Sequence, residues 1–148
     1  MLMCALIVGL LAAAAAGSGT GPDRGFNGNI AWSNRLEDSL ARAKSEGRPA
    51  LVLIHKSWCG ACKRLKSVFE HPEIERLAHE LVMVNLEDDE EPADPAYRPD
   101  GSYIPRIFFV RDGAVLPLHN TAGNPQYKYY YSSEDQIIAS MKAALESK

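Results

Sequence analysis

The segment Trp58-Cys59-Gly60-Ala61-Cys62 lies between two patterns that together leave few folds open. Before it, Pro49 opens Ala50-Leu51-Val52-Leu53-Ile54, an apolar run with the length and continuity of a strand buried on both faces of a sheet. After it, Leu65, Val68 and Phe69 recur at helical spacing, and His71-Pro72 breaks or kinks that helix because proline disfavours a helical residue before it. Glu73–Glu80 continues as a second helical piece with Ile74 and Leu77 inward, and Leu81-Val82-Met83-Val84 is the next apolar strand. Strand, helix and strand at this spacing make a βαβ unit, with two parallel neighbours and a right-handed crossover.

The flanking sequence completes the pattern. Asp23–Asn29 reads as an irregular lead-in, and Ser33 is expected to cap a helix carrying Leu36, Leu40 and Ala43, with Gly47 as its stop. Glu87–Ser102 is an acidic, proline-rich loop. Ile104–Val110 reads as a strand, turned by Asp112-Gly113 into Ala114-Val115-Leu116, a strong hairpin signal. Ser133 and Gln136 have capping-box spacing ahead of a last helix bearing Ile137, Ile138, Met141 and Leu145. The expected fold is one α/β domain over residues 23–148, a mixed sheet with parallel core strands, an antiparallel hairpin and helices on both faces.

Composition supports a soluble domain and adds one constraint on the cysteines. The chain has 148 residues, 46% hydrophobic and 24% charged, enough for one substantial core, and its net charge of −3 argues against nucleic acid as a partner. Met1–Ala16 has no charged side chain, Leu2–Leu11 is almost wholly apolar, and Ala12–Ala16 is a run of small residues. That reads as a signal peptide over residues 1–16, cleaved between 16 and 21; an uncleaved anchor is the alternative, disfavoured because a span needs about 20 apolar residues. Cleavage removes Cys4 and leaves Cys59 and Cys62 as the thiols of the mature chain, with no stable membrane insertion.

The spacing of those two cysteines has a chemical logic. Residues three apart share a helical face, with Cα atoms about 5 Å apart, inside the disulfide window. Cys59 is expected at the helix N-terminus, where unpaired N–H groups and the macrodipole stabilise a thiolate, and Cys62 one turn deeper and shielded. Cys59 is then the attacking thiolate and Cys62 the thiol that resolves the mixed disulfide. Trp58 is expected to shield one side, Gly60 to permit the tight approach to the helix, Ala61 to complete the intervening pair, and Lys63 to add positive charge nearby. Two other readings compete. A zinc site would need two of His55, His71, His79 and His119, without supporting spacing, and a structural bridge across two residues would constrain almost no chain.

Four motifs in order carry a family resemblance: Lys56-Ser57-Trp58-Cys59-Gly60-Ala61-Cys62-Lys63, Val82-Met83-Val84-Asn85-Leu86-Glu87-Asp88, Tyr103-Ile104-Pro105-Arg106-Ile107 and Gly123-Asn124-Pro125-Gln126-Tyr127-Lys128-Tyr129. The chain resembles the thioredoxin superfamily, and within it the small single-domain endoplasmic-reticulum oxidoreductases related to the anterior gradient proteins, over roughly residues 30–145. The resemblance implies a three-layer thioredoxin-like sandwich and dithiol–disulfide exchange on secretory-pathway clients, with the oxidase, reductase or isomerase direction left open. By motif, Cys59 matches the nucleophile, Cys62 the resolving cysteine and Pro105 the superfamily's cis-proline, which turns the Ile104 backbone toward substrate. The implied partners are protein or peptide thiols and disulfides, with glutathione as a further candidate. The redox group is the Cys59–Cys62 disulfide itself, without another cofactor or a metal.

Two departures from the superfamily pattern stand out. Leu53 occupies the position where many members carry a buried acid. The chain ends Glu146-Ser147-Lys148 without a KDEL-like signal, so secretion is set beside residence in the endoplasmic reticulum. The competing functions are a chaperone-like or signalling binding module of anterior gradient type, whose members tend to lack the second cysteine, and a periplasmic thiol reductase. Glu87–Glu91 with Asp94 lacks the spacing of a calcium loop and is expected to be solvated. Tyr127, Tyr129, Tyr130 and Tyr131 are expected to pack a loop against the last helix.

Overall fold

The computed structural model describes residues 21–148; the expected signal peptide and Cys4 lie outside the described residues. The chain runs β1 (Trp32–Ser33), α1 (Leu36–Ser45), β2 (Ala50–His55), α2 (Gly60–Val68), α3 (Pro72–Ala78), β3 (Val82–Glu87), β4 (Arg106–Arg111), β5 (Ala114–Val115) and α4 (Glu134–Glu146). The sheet order is β1-β3-β2-β4-β5. β1, β3 and β2 are parallel, while β4 runs antiparallel to β2 and forms a hairpin with β5. Asp112 and Gly113 turn that hairpin with φ of 52° and 78°, the left-handed conformation for which Asp-Gly is suited.

β2 is unbroken in its apolar character because both of its faces are covered. Leu51 and Leu53 point into a core shared with Leu65 and Phe69 beside α2, Ile74 and Leu77 of α3, and Ile137 and Met141 of α4. Ala50, Val52 and Ile54 point the other way, into a second core with Ala43 of α1, Val82 and Val84 of β3, and Phe108 of β4. Alternation along one strand therefore serves two cores, the arrangement that makes a three-layer sandwich. The break after α2 is set by Pro72 at the first position of α3, with His71 Nδ1 accepting the Glu73 N–H at 3.2 Å.

Three local expectations are corrected. Ser33 does not cap α1: it lies in β1, paired with Val84, and its Oγ accepts from Arg35 N–H and from Ser39 Oγ. The expected box at α4 is not made: Ser133 makes no side-chain cap bond, and the Gln136 side chain accepts the N–H of Ser132 rather than that of the cap residue. The lead-in is not merely a connection. Phe26 is fully buried against Trp32 and Phe69, with ring centroids at 6.5 and 5.7 Å, and Asn27 Nδ2 donates to the Phe69 carbonyl at 3.0 Å. Of the tyrosines, Tyr131 meets the last helix as expected, bonding Ser140 of α4 at 2.8 Å, whereas Tyr129 stacks on Phe108 in the other core and Tyr127 stays exposed.

Among the described residues no helix is long and apolar enough to cross a membrane. Phe69 is fully buried in this aromatic cluster, in contact with both Phe26 and Trp32. Phe69→Ala is expected to cost about 3–5 kcal/mol through lost burial and the cavity left behind. A urea titration giving less than about 1 kcal/mol would contradict that placement of the core.

Candidate active site

Cys59 sits at the end of the β2–α2 connection, in extended conformation, as the N-cap of α2. Its Sγ accepts the N–H of Cys62 at 3.1 Å, so the sulfur satisfies one of the unpaired donors at the helix start. Both cysteines are free thiols. Cys59 is 7% exposed and Cys62 is not exposed at all, so a partner reaches the first sulfur more easily than the second. Burial pushes the Cys62 thiol up to about 12, hydrogen bonding to Cys59 adds to the rise, and the Lys56 backbone opposes it.

The neighbours are placed unevenly. Trp58 is 74% exposed beside the cysteines, and Lys63 lies exposed on α2. At Gly60 a Cβ would meet Arg64 Nη1 at 3.6 Å, an ordinary contact. Ala61 lines a small cleft of about 110 Å³ with Arg64, Leu65, Tyr130, Tyr131 and Ser132. Ile104 is half-buried, Pro105 is buried, and the peptide between them is cis. Antiparallel pairing of Ile54 with Arg106 places Pro105 at the level of the last residue of β2, the same end from which the chain leaves toward Cys59. Leu53 is buried in the apolar core.

Sequence reasoning missed the charged layer beneath this edge. The acidic loop is not simply solvated. Glu91 bonds Lys56 Nζ at 2.9 Å and Arg106 through the guanidinium, and Arg106 is fully buried. Glu90 forms a paired contact with Arg24 at 2.5 and 2.6 Å, while Asp88 accepts the Ser57 N–H at 2.9 Å. His55 is buried against Asn85 at 2.5 Å, and burial holds its pKa below the ordinary value, with that hydrogen bond opposing. Burial works to raise the Glu91 carboxyl, but Lys56 and Arg106 outweigh it and leave the group below the usual range. The available signal was Arg106 itself, a cation at the head of an apolar strand that demands a buried partner. Among the described residues no cluster of three or more His, Cys, Asp or Glu side chains is arranged to hold a metal ion.

The thioredoxin-like family profile matches residues 31–111, from before β1 to the end of β4. The chain belongs to the thioredoxin-like family. Its curated relatives include anterior gradient protein 2-B of Xenopus laevis, 34% identical over 125 residues that span 82% of this chain and 75% of that protein. Anterior gradient protein 2 homolog of Mus musculus is 36% identical over 126 residues, spanning 83% of this chain and 71% of that protein. Among solved structures, a poplar thioredoxin h covers 82% of this chain and all of its own, with a TM-score of 0.58 at 22% identity. A disulphide isomerase from Xylella fastidiosa covers 74% of this chain and 87% of its own, with a TM-score of 0.55 at 23% identity. At those identities the two structures speak for the thioredoxin-like fold.

Two measurements probe the site's electrostatics. Iodoacetamide at pH 8 is expected to alkylate Cys59 and spare Cys62, because the second thiol is inaccessible and protonated far above that pH. Mass spectrometry finding equal labelling would contradict this. The Glu90 carboxyl is held low by its hydrogen bonds to Arg24, against burial. A depressed carboxylate stabilises the fold above its unfolded value of about 4.3 and loses that contribution as pH falls through its folded value. Glu90→Gln is therefore expected to cost about 1–2 kcal/mol at neutral pH and to flatten the acid side of the stability profile. Parallel profiles for the two proteins in a pH-dependent denaturant series would count against the pairing.

Proposed function

We propose that this protein is a thiol–disulfide oxidoreductase acting on disulfides of secretory-pathway client proteins through the Cys59-Gly60-Ala61-Cys62 dithiol. The observation that carries the reading is the asymmetry of the pair: an N-cap sulfur bonded to the first turn of α2, and a second sulfur shielded one turn below. Membership of the thioredoxin-like family supports a redox activity of this kind. The four sequence motifs resemble thioredoxin domain-containing protein 12 of the same superfamily, and the presence of Cys62 supports that finer placement.

In the oxidising direction for the protein, Cys59 thiolate attacks one sulfur of a client disulfide. That forms a Cys59–client bond and expels the other client sulfur as a thiolate. Cys62 then passes its proton to the expelled client thiolate and attacks Cys59 Sγ, which forms the Cys59–Cys62 bond and releases the second client sulfur as a thiolate. Two electrons pass to the client, and the reverse sequence donates a disulfide. No cofactor beyond the cysteine pair enters this scheme, and client thiols, client disulfides or glutathione are its partners. Ile104 and Pro105, at the same sheet edge, are the proposed substrate-facing backbone, with Trp58 and Ala61 bordering the cysteines. The endoplasmic-reticulum lumen is the proposed location.

A binding module of anterior gradient type is the second reading, favoured by the relatives' names and by the exposed Trp58. The two readings separate on turnover. Cys59→Ser is expected to abolish insulin-disulfide reduction, and Cys62→Ser to accumulate mixed disulfides visible on non-reducing gels. Full activity in both single variants would defeat the oxidoreductase assignment.

A further inference from the structure

Glu91 is not part of the thiol pair, yet one carboxylate oxygen reaches the turn that precedes Cys59 and the other reaches the segment that follows Pro105. We propose that Glu91 is a positioning residue for the Cys59–Cys62 couple, holding the Lys56–Trp58 turn against the Tyr103–Arg106 segment and thereby setting how readily the two thiols close into a disulfide. The proposal rests on the dithiol–disulfide reading of the site.

The turn is fixed at successive residues. Lys56 Nζ donates to Glu91 Oε2 at 2.9 Å and to the Asp88 carbonyl at 2.7 Å. The Ser57 N–H donates to Asp88 Oδ1 at 2.9 Å, and the Cys59 N–H donates to the Lys56 carbonyl at 3.3 Å. On the other side, Arg106 donates from Nη2 to Glu91 Oε1, from Nε to the Tyr97 carbonyl at 3.0 Å and from Nη1 to the Tyr103 carbonyl. Arg106 is fully buried, whereas the Lys56 and Glu91 side chains keep about a fifth of their surface exposed. A buried guanidinium must be compensated, so Glu91 is held to Arg106 first, and its second oxygen is then presented to Lys56 at a fixed place. The Lys56 backbone, whose carbonyl accepts the Cys59 N–H, is located by its own side chain in this way.

Closing the disulfide requires Cys59 Sγ to swing onto Cys62 Sγ from a defined distance. A turn held in one geometry keeps the effective concentration of one thiol at the other high, and a released turn spreads it over more conformations. Against glutathione the balanced reaction is protein dithiol plus glutathione disulfide giving protein disulfide plus two glutathione thiols. Two electrons and two protons leave the protein thiols, one sulfur–sulfur bond breaks and one forms. Loss of the clamp weakens the protein disulfide and moves this equilibrium toward the dithiol.

The test uses the full chain equilibrated in glutathione redox buffers, with the dithiol fraction read by alkylation mass shift. Glu91→Gln is expected to lower the equilibrium constant for disulfide formation at least fivefold, about 20 mV at 29.6 mV per tenfold change. Lys56→Met, which leaves the buried Glu91–Arg106 pair intact and so guards against a folding failure in the first variant, is expected to move it in the same direction. The surface variant Glu73→Gln is expected to leave it in place. By linkage, the gap in melting temperature between oxidised and reduced protein narrows in the two clamp variants. An equilibrium constant within twofold of the parent in Lys56→Met, with both redox forms destabilised equally, would show a purely structural clamp and overturn the proposal. A parent protein with no measurable dithiol–disulfide equilibrium would instead overturn the oxidoreductase reading beneath it.

Discussion

The buried guanidinium of Arg106 dictates the arrangement of everything at the functional edge of the sheet. A permanent charge with no solvent exposure is tolerable in a protein only with a close counter-charge and its remaining donors satisfied. Glu91 supplies the charge, and the carbonyls of Tyr97 and Tyr103 take the other donors. That set of bonds draws a polar loop over the end of β2 and β4, where an apolar core would otherwise open to water. The turn leading to Cys59 rests on the same loop through Lys56 and Ser57, so the position of the thiols follows from the neutralisation of one cation.

The two cores divide the remaining work. The one beneath α2 and α4 gathers the aromatic rings of Phe26, Trp32, Phe69 and Phe109, and it supports the helix that carries both cysteines. The one beneath α1 is built from smaller aliphatic side chains and closed by Tyr97 and Tyr129. Because β2 belongs to both, a side chain exchanged at Leu53 or Ile54 is felt in different layers although the residues adjoin. Burial of Cys62 is a property of the first core: the same packing that excludes water from the helix raises its thiol pKa.

Much of the fold was legible because strands buried on both faces have no polar alternation to confuse them. The runs at residues 50–54, 81–84 and 104–110, the Asp112-Gly113 turn and the break at Pro72 all stand near where the pattern placed them. The cysteine spacing identified the pair, and the model of a capped helix start fits the geometry at Cys59. What was not legible depended on partners remote in sequence. A row of acids looks the same whether it faces water or cations, and Glu91 meets Lys56 and Arg106 across 35 and 15 residues. Ser33 misled because its hydroxyl can serve a cap or a strand neighbour equally well, and pairing with β3 decided between them.

The lead-in before β1 has a consequence for where the folding unit ends. Phe26 fills the gap between Trp32 and Phe69, Asn27 closes onto the backbone after α2, and Arg24 braces Glu90 just past the end of β3. The stretch shared with the family profile begins at residue 31 and stops at 111, and it therefore omits both this plug and α4. A fragment trimmed to that span would keep β1 to β4 and both thiols while exposing the apolar surface on which α2 stands. The autonomous unit is set by the side chains that seal its core, and here they begin well ahead of the first strand.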